Sequence, residues 1–182
     1  MKKILIVSLT VVIVVLMILG LSINKENYSS ENSEILRIHI RANSNSSVDQ
    51  QVKYEIKNQL VDYMIPMLKN IETKQDVEDV IIENKSQLEK FIDNILKQKG
   101  FTYTSNIKLS YEEFPTRVYD GVTFESGFYD ALIVELGSAQ GNNWWCVIYP
   151  PICFTEYSNK SGVKVVYKSK IMEIINKIFK RS

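Results

Sequence analysis

Gly141-Asn142-Asn143-Trp144-Trp145-Cys146-Val147-Ile148-Tyr149-Pro150-Pro151-Ile152-Cys153-Phe154 is the stretch whose reading decides the fold. It carries both tryptophans, both cysteines and two of the four prolines of the chain. On an extended strand Trp144, Cys146 and Ile148 point one way, and Trp145, Val147 and Tyr149 the other. Bulky groups on both faces suit a central or covered strand. Pro150-Pro151 must end it, because neither residue has an N–H for a sheet ladder. The chain then turns and resumes at Ile152.

The bounds around this stretch are ordinary. The 182 residues allow one domain plus an added segment, and 45% hydrophobic with 24% charged residues is a globular balance. A formal net charge of +1 gives no drive towards nucleic acid. The single histidine, His39, is too little for most zinc sites and most histidine-dependent catalysis. The motifs imply no cofactor, no metal and no small-molecule substrate.

Residues 1–23 stand apart. Lys2 and Lys3 precede an apolar run from Ile4 to Ile23, close to the ~20 residues that span a bilayer. This is an export segment, either a signal peptide removed after export or a retained N-terminal membrane anchor. Residues 24–34 are polar and read as a linker. The folded domain is expected over 35–182, with its main body over 35–154.

Leu36, Ile38 and Ile40 alternate with Arg37, His39 and Arg41, the pattern of a half-buried strand with a solvated basic face. His39 has two readings: a solvated strand residue, or a general base that needs a nucleophile beside it. Helical spacing of Val48, Val52, Ile56, Leu60 and Met64 follows. Ser46 with Asp49, or Ser47 with Gln50, supplies its start, and Pro66 ends or kinks it. The polar run from Asn43 to Ser47 caps this helix or offers free N–H groups to an anion or a partner's carboxylate. A second helical region spans about Lys74 to Gln98, opened by Thr73 with Asp76 and closed by Gly100, with a break possible at Asn84-Lys85-Ser86.

From Phe101 the period changes to two. A strand runs from Phe101 to Tyr111 and is broken at Phe114-Pro115. Asp120-Gly121 marks a hairpin, and another strand covers Gly127 to Leu136. The expected class is α+β: a mostly antiparallel sheet, its later strands in a meander, with helices packed on one face. Residues 163–181 read as a short strand and a basic amphipathic helix, which either packs on the sheet or lies on an anionic membrane.

Two cysteines in an exported domain are either a disulfide or buried free thiols. Cys146 and Cys153 flank the proline turn, and bonding requires Cα atoms within about 7 Å.

The Gly141–Phe154 stretch closely resembles the signature of the stage II sporulation protein R family of endospore-forming Firmicutes. Two further segments agree, in the right order: the Arg-rich strand with Ala42-Asn43-Ser44-Asn45-Ser46 and Asp49-Gln50, and Phe114-Pro115-Thr116-Arg117-Val118-Tyr119 with Gly127-Phe128-Tyr129-Asp130-Ala131-Leu132. The resemblance implies a non-enzymatic protein, exported from the forespore into the space between forespore and mother cell. There it would activate a membrane-embedded aspartic protease, stage II sporulation protein GA. That protease processes the pro-form of the early mother-cell sigma factor. Candidate partner-binding residues are Asn43, Ser44, Asp49, Pro115, Trp144, Trp145, Tyr149, Pro150, Pro151 and Phe154. Two other readings stay open: an exported thiol hydrolase using Cys146 or Cys153 with His39, and an envelope adhesion or scaffold module.

Overall fold

The computed structural model describes residues 32–154 other than Asn70 and Asp120. The export segment and the basic stretch 163–181 lie outside these residues. A 3-10 turn at Asn32–Glu34 leads into β1 (Leu36–Arg41), so the end of the polar linker is already structured. Helices α1 (Ser47–Leu68) and α2 (Lys74–Gln98) follow. Then come β2 (Ser105–Phe114), the short strands β3 (Arg117–Tyr119) and β4 (Val122–Phe124), β5 (Gly127–Leu136) and β6 (Asn143–Tyr149), with a last 3-10 turn at Ile152–Phe154.

Both helices begin as their sequences dictate. The Ser46 and Thr73 side chains accept hydrogen bonds from the N–H groups of Asp49 and Asp76, three residues on. Pro66 sits inside the last turn of α1, two residues before its end, where little ladder remains to lose. Helix α2 is continuous through Asn84–Ser86, so the expected break is absent. Val48, read as part of the buried stripe, is 58% exposed; the buried apolar stripe runs through Val52, Ile56, Leu60 and Met64.

The α+β class holds, but the sheet is mixed. Its order is β2-β5-β1-β6, with β1 parallel to β5 and antiparallel to β6, while β2 pairs antiparallel with β5. The first strand is therefore inserted between two of the last, and the expected meander is broken. Strands β3 and β4 form a separate two-stranded hairpin, with Gly121 at positive φ in its turn.

Two apolar layers result. On one face Leu36, Ile38, Ile40, Leu132 and Val134 pack against Val52, Ile56, Leu60, Ile81 and Ile92 of the helices. On the other face Ile35, Phe114, Tyr129, Ala131, Ile133 and Val147 pack with Phe124 of the hairpin. Strand β1 is thus buried on both sides. Arg37 is fully buried and His39 is 6% exposed, which corrects the expected solvated face.

The two sheet edges differ. On β2 the N–H groups of Ser105 and Ile107 donate to carboxylates of α2, Asp93 at 2.7 Å and Glu89 at 2.9 Å. The expected strand start at Phe101 therefore moves to Ser105. Strand β6 occupies the opposite edge, not the centre, though Cys146 to Tyr149 are buried.

Leu132 lies at the sheet centre with no exposure. Leu132→Ala is expected to cost about 2–5 kcal/mol, against about 1 kcal/mol for loss of the Thr73 cap in Thr73→Ala. Urea unfolding of the two variants measures both; a larger loss for the cap would refute this ranking of core over cap.

Candidate functional site

The three motif segments meet at the β1 exit and along β6. Residues 137–142 clasp the chain that leaves β1. Gly141 N–H donates to Ala42 O at 2.8 Å and Gln140 N–H to Asn43 O at 3.2 Å. A side chain at Gly141 would run into the Ser44 carbonyl, and one at Gly137, whose φ is 57°, into Asn43. Asn43 Oδ1 accepts from Ser138 N–H at 2.9 Å, and Asn45 Oδ1 from Asn142 N–H at 2.7 Å. Lys53, almost fully buried, donates to Asn142 O at 3.0 Å and to Gln50 Oε1 at 2.8 Å.

Asp49 is the hub of this clasp and only 5% exposed. Its carboxylate accepts from Asn43 Nδ2 at 3.0 Å, Ser44 Oγ at 2.5 Å and Tyr103 Oη at 2.6 Å. Burial pushes its pKa up, but these donors outweigh burial and hold it below the usual carboxylate range. Burial and the Asp49 bond together raise the Tyr103 phenol. So the polar atoms of Asn43, Ser44 and Asp49 hold the α1 start to the β5–β6 loop. Ser46 caps α1 by accepting from the Asp49 N–H, while the Ser46 N–H donates to Ser44 Oγ and not to the Asp49 carboxylate, so the expected box is made in one direction only.

On β6 the two tryptophans face opposite ways and do not form one patch. Trp144 is half-buried beside the helix-side core, with Lys57 Nζ 5.4 Å from its ring centroid. Trp145 is half-buried on the hairpin side, stacked on His39 at 5.4 Å and covered by the Arg117 guanidinium at 4.7 Å. A register shift in the β1–β6 pairing breaks the alternation, so that Tyr149 joins Ile148 in the helix-side core. Its hydroxyl donates to Glu72 O at 2.5 Å. Pro150 is buried, Pro115 and Pro151 are half-buried, and Phe154 closes the final turn.

Cys146 and Cys153 are bonded, with Cα atoms 5.9 Å apart and a separation of seven positions in sequence. The Tyr149–Pro150 peptide in between is cis. Cys146 lies against Ile38 in the helix-side core, while His39 points to the other face. The thiol hydrolase reading therefore loses both its free thiols and its geometry. His39 Nδ1 stands 3.6 Å from Glu112, which is paired with Arg41. Burial, helped by the Arg41 charge, holds the imidazole below its ordinary pKa.

Periodicity did not expose Arg37, Lys53, Tyr103, Arg117 or Tyr119 as members of these networks. The hairpin signal at Asp120-Gly121 was the one hint that something folds over the Arg37 face.

These features define a small mixed-sheet α+β domain with a disulfide at its sheet edge and its motif asparagines, serines and glycines built into one clasp. The family model for stage II sporulation protein R matches residues 32–159, and the chain belongs to that family. Stage II sporulation protein R of Bacillus subtilis (strain 168) is 29% identical over 153 residues, covering 81% of this chain and 68% of that protein. No solved structure matches. Membership gives the chain a role in sporulation.

Two outcomes follow from this geometry. Cys146→Ser with Cys153→Ser is expected to cost about 2 kcal/mol of stability, as reduction should in the parent, measured by urea unfolding with and without dithiothreitol; equal midpoints would show the bond to be inert. His39, with a lowered folded pKa, contributes stability present above its ordinary 6.5 and lost as pH falls through the folded value. Asp49 acts in the same sense below its ordinary 3.8. Stability should therefore fall on acidification from pH 6.5, and His39→Gln should flatten the first part of that fall; an unchanged profile would refute the assignment.

Proposed function

We propose that this chain is an exported signalling protein of endospore formation. It passes from the forespore into the space between forespore and mother cell. There it activates the membrane-embedded aspartic protease stage II sporulation protein GA, which then processes the pro-form of the early mother-cell sigma factor. Family membership over residues 32–159 is the observation that carries this reading. The Cys146–Cys153 bond supports it, because disulfides persist in oxidising spaces outside the cytoplasm. The apolar run from Ile4 to Ile23 supplies the route out.

The chain acts by contact. An activator must bind the active state of its protease more tightly than the inactive state, and needs no bond-making step of its own. Trp145 with Arg117 is the better-placed anchor, being half-open and of the residue types that dominate interface energies. Tyr149 and Pro150 act through the shape of β6, since both are buried.

Co-expression of the protease, the pro-sigma factor and this chain in a non-sporulating host tests the reading. Cleavage of the pro-protein should depend on this chain, and Trp145→Ala should lower it roughly tenfold or more, the scale of an interface anchor. Cleavage at the same rate without the chain would refute activation.

A further inference from the structure

Arg37 is the largest fully buried side chain among the described residues, with no exposed surface. Its guanidinium lies 4.5 Å from the Phe114 ring centroid and 4.8 Å from that of Tyr129, with Phe124 at 6.0 Å. Among the described residues no acceptor stands at full hydrogen-bond geometry to Nε or to either terminal nitrogen, and no carboxylate pairs with them; the Tyr119 and Tyr129 hydroxyl oxygens are their polar neighbours. The Tyr119 and Tyr129 hydroxyls favour the charge electrostatically, but they donate to Trp145 O and Glu125 O. Burial lowers the guanidinium pKa, yet an arginine stays charged. Ring faces and two tyrosine oxygens already engaged elsewhere leave most of the five buried donors unmatched.

The roof over this charge is the β3–β4 hairpin. Its strands pair with each other and with no strand of the main sheet. It is held to the sheet through side chains: Phe124 in the apolar layer, Tyr119 through its hydroxyl bond to Trp145 O at 2.9 Å, Arg117 over the Trp145 ring, and Tyr129 of β5, whose hydroxyl donates to Glu125 O just past the hairpin. It can therefore lift without breaking a ladder.

We propose that Arg37 is a binding residue for one carboxylate, carried by a protein partner as an Asp, a Glu or a chain terminus, and that the β3–β4 hairpin is the cover that lifts to admit it. The planar fork of a guanidinium matches a carboxylate in two parallel bonds. One buried positive charge balances one negative charge. A phosphate dianion would leave a buried charge unmatched, since among the described residues no second cation lies over the same rings. The proposal deepens the activation reading by naming the chemistry of the contact, and its binding test does not use the protease, so the two fail separately.

The hairpin carries its own reporter, because Tyr119 bonds Trp145 and Arg117 covers its ring. The full chain with Trp144→Phe, in neutral detergent, leaves Trp145 as the single indole. Titration with sodium acetate at pH 7 should shift its emission saturably, and sodium phosphate at matched ionic strength should not. Arg37→Met should abolish the acetate response while leaving Tm unchanged or raised, since an apolar chain replaces an unpaired buried charge. Arg37→Lys keeps the charge without the fork and should weaken the response about tenfold. A flat acetate titration, a response that survives in Arg37→Met, an equal response in Arg37→Lys, or an equal response to phosphate would each overturn the proposal. So would a Tm loss in Arg37→Met of about 4 °C or more, which would assign Arg37 to holding the fold.

Discussion

The burial of β1 on both of its faces is the constraint from which the rest of the molecule follows. A six-residue strand with neighbours on both edges needs partners in four directions. Strands β5 and β6 supply its ladders, the helices cover Leu36, Ile38 and Ile40, and the hairpin with Phe114 and Tyr129 covers the opposite side. Because β1 comes first in the chain and its partners last, the sheet closes only when residues 94 to 113 positions apart in sequence are brought together. The clasp between residues 42–45 and 137–142 fixes that closure at one end, and the disulfide fixes the far strand at the other.

Seen this way, the Asn–Ser run and the glycines of the 137–141 loop are one device. A loop that must cross the exit of a buried strand has to satisfy its backbone locally. Asn43 and Asn45 do so with side-chain oxygens, and Asp49 gathers the donors left over. Gly141 is there because the Ser44 carbonyl occupies the place of its missing side chain. These residues shape the surface near β6 without offering their own polar atoms to it.

Most elements were legible because their signals are local. The caps at Ser46 and Thr73, the turn at Gly121 and the stop at Pro150 each act within a few residues, and each lies where the pattern put it. Strand order was not legible, since nothing in Leu36–Arg41 says that its neighbours are β5 and β6. The alternation also misled. Arginine and histidine on one face of a strand read as solvated, whereas here aromatic rings take the place of water. For the same reason the paired tryptophans read as one anchor, although the strand sends them to opposite layers. The cysteine pair was half legible: spacing allowed the bond, and only the turn geometry made it.

The carboxylates of Asp93 and Glu89 that plug the outer edge of β2 have a consequence for crowding. A strand arriving from another copy would find the first donors there already taken, and its own carbonyls would face two negative groups. Ordered growth of the sheet is thereby blocked on one flank. Among the described residues the remaining flank is β6, so association of copies through sheet edges would end at a pair. Open-ended fibres, which require two adhesive flanks per molecule, are disfavoured by that asymmetry.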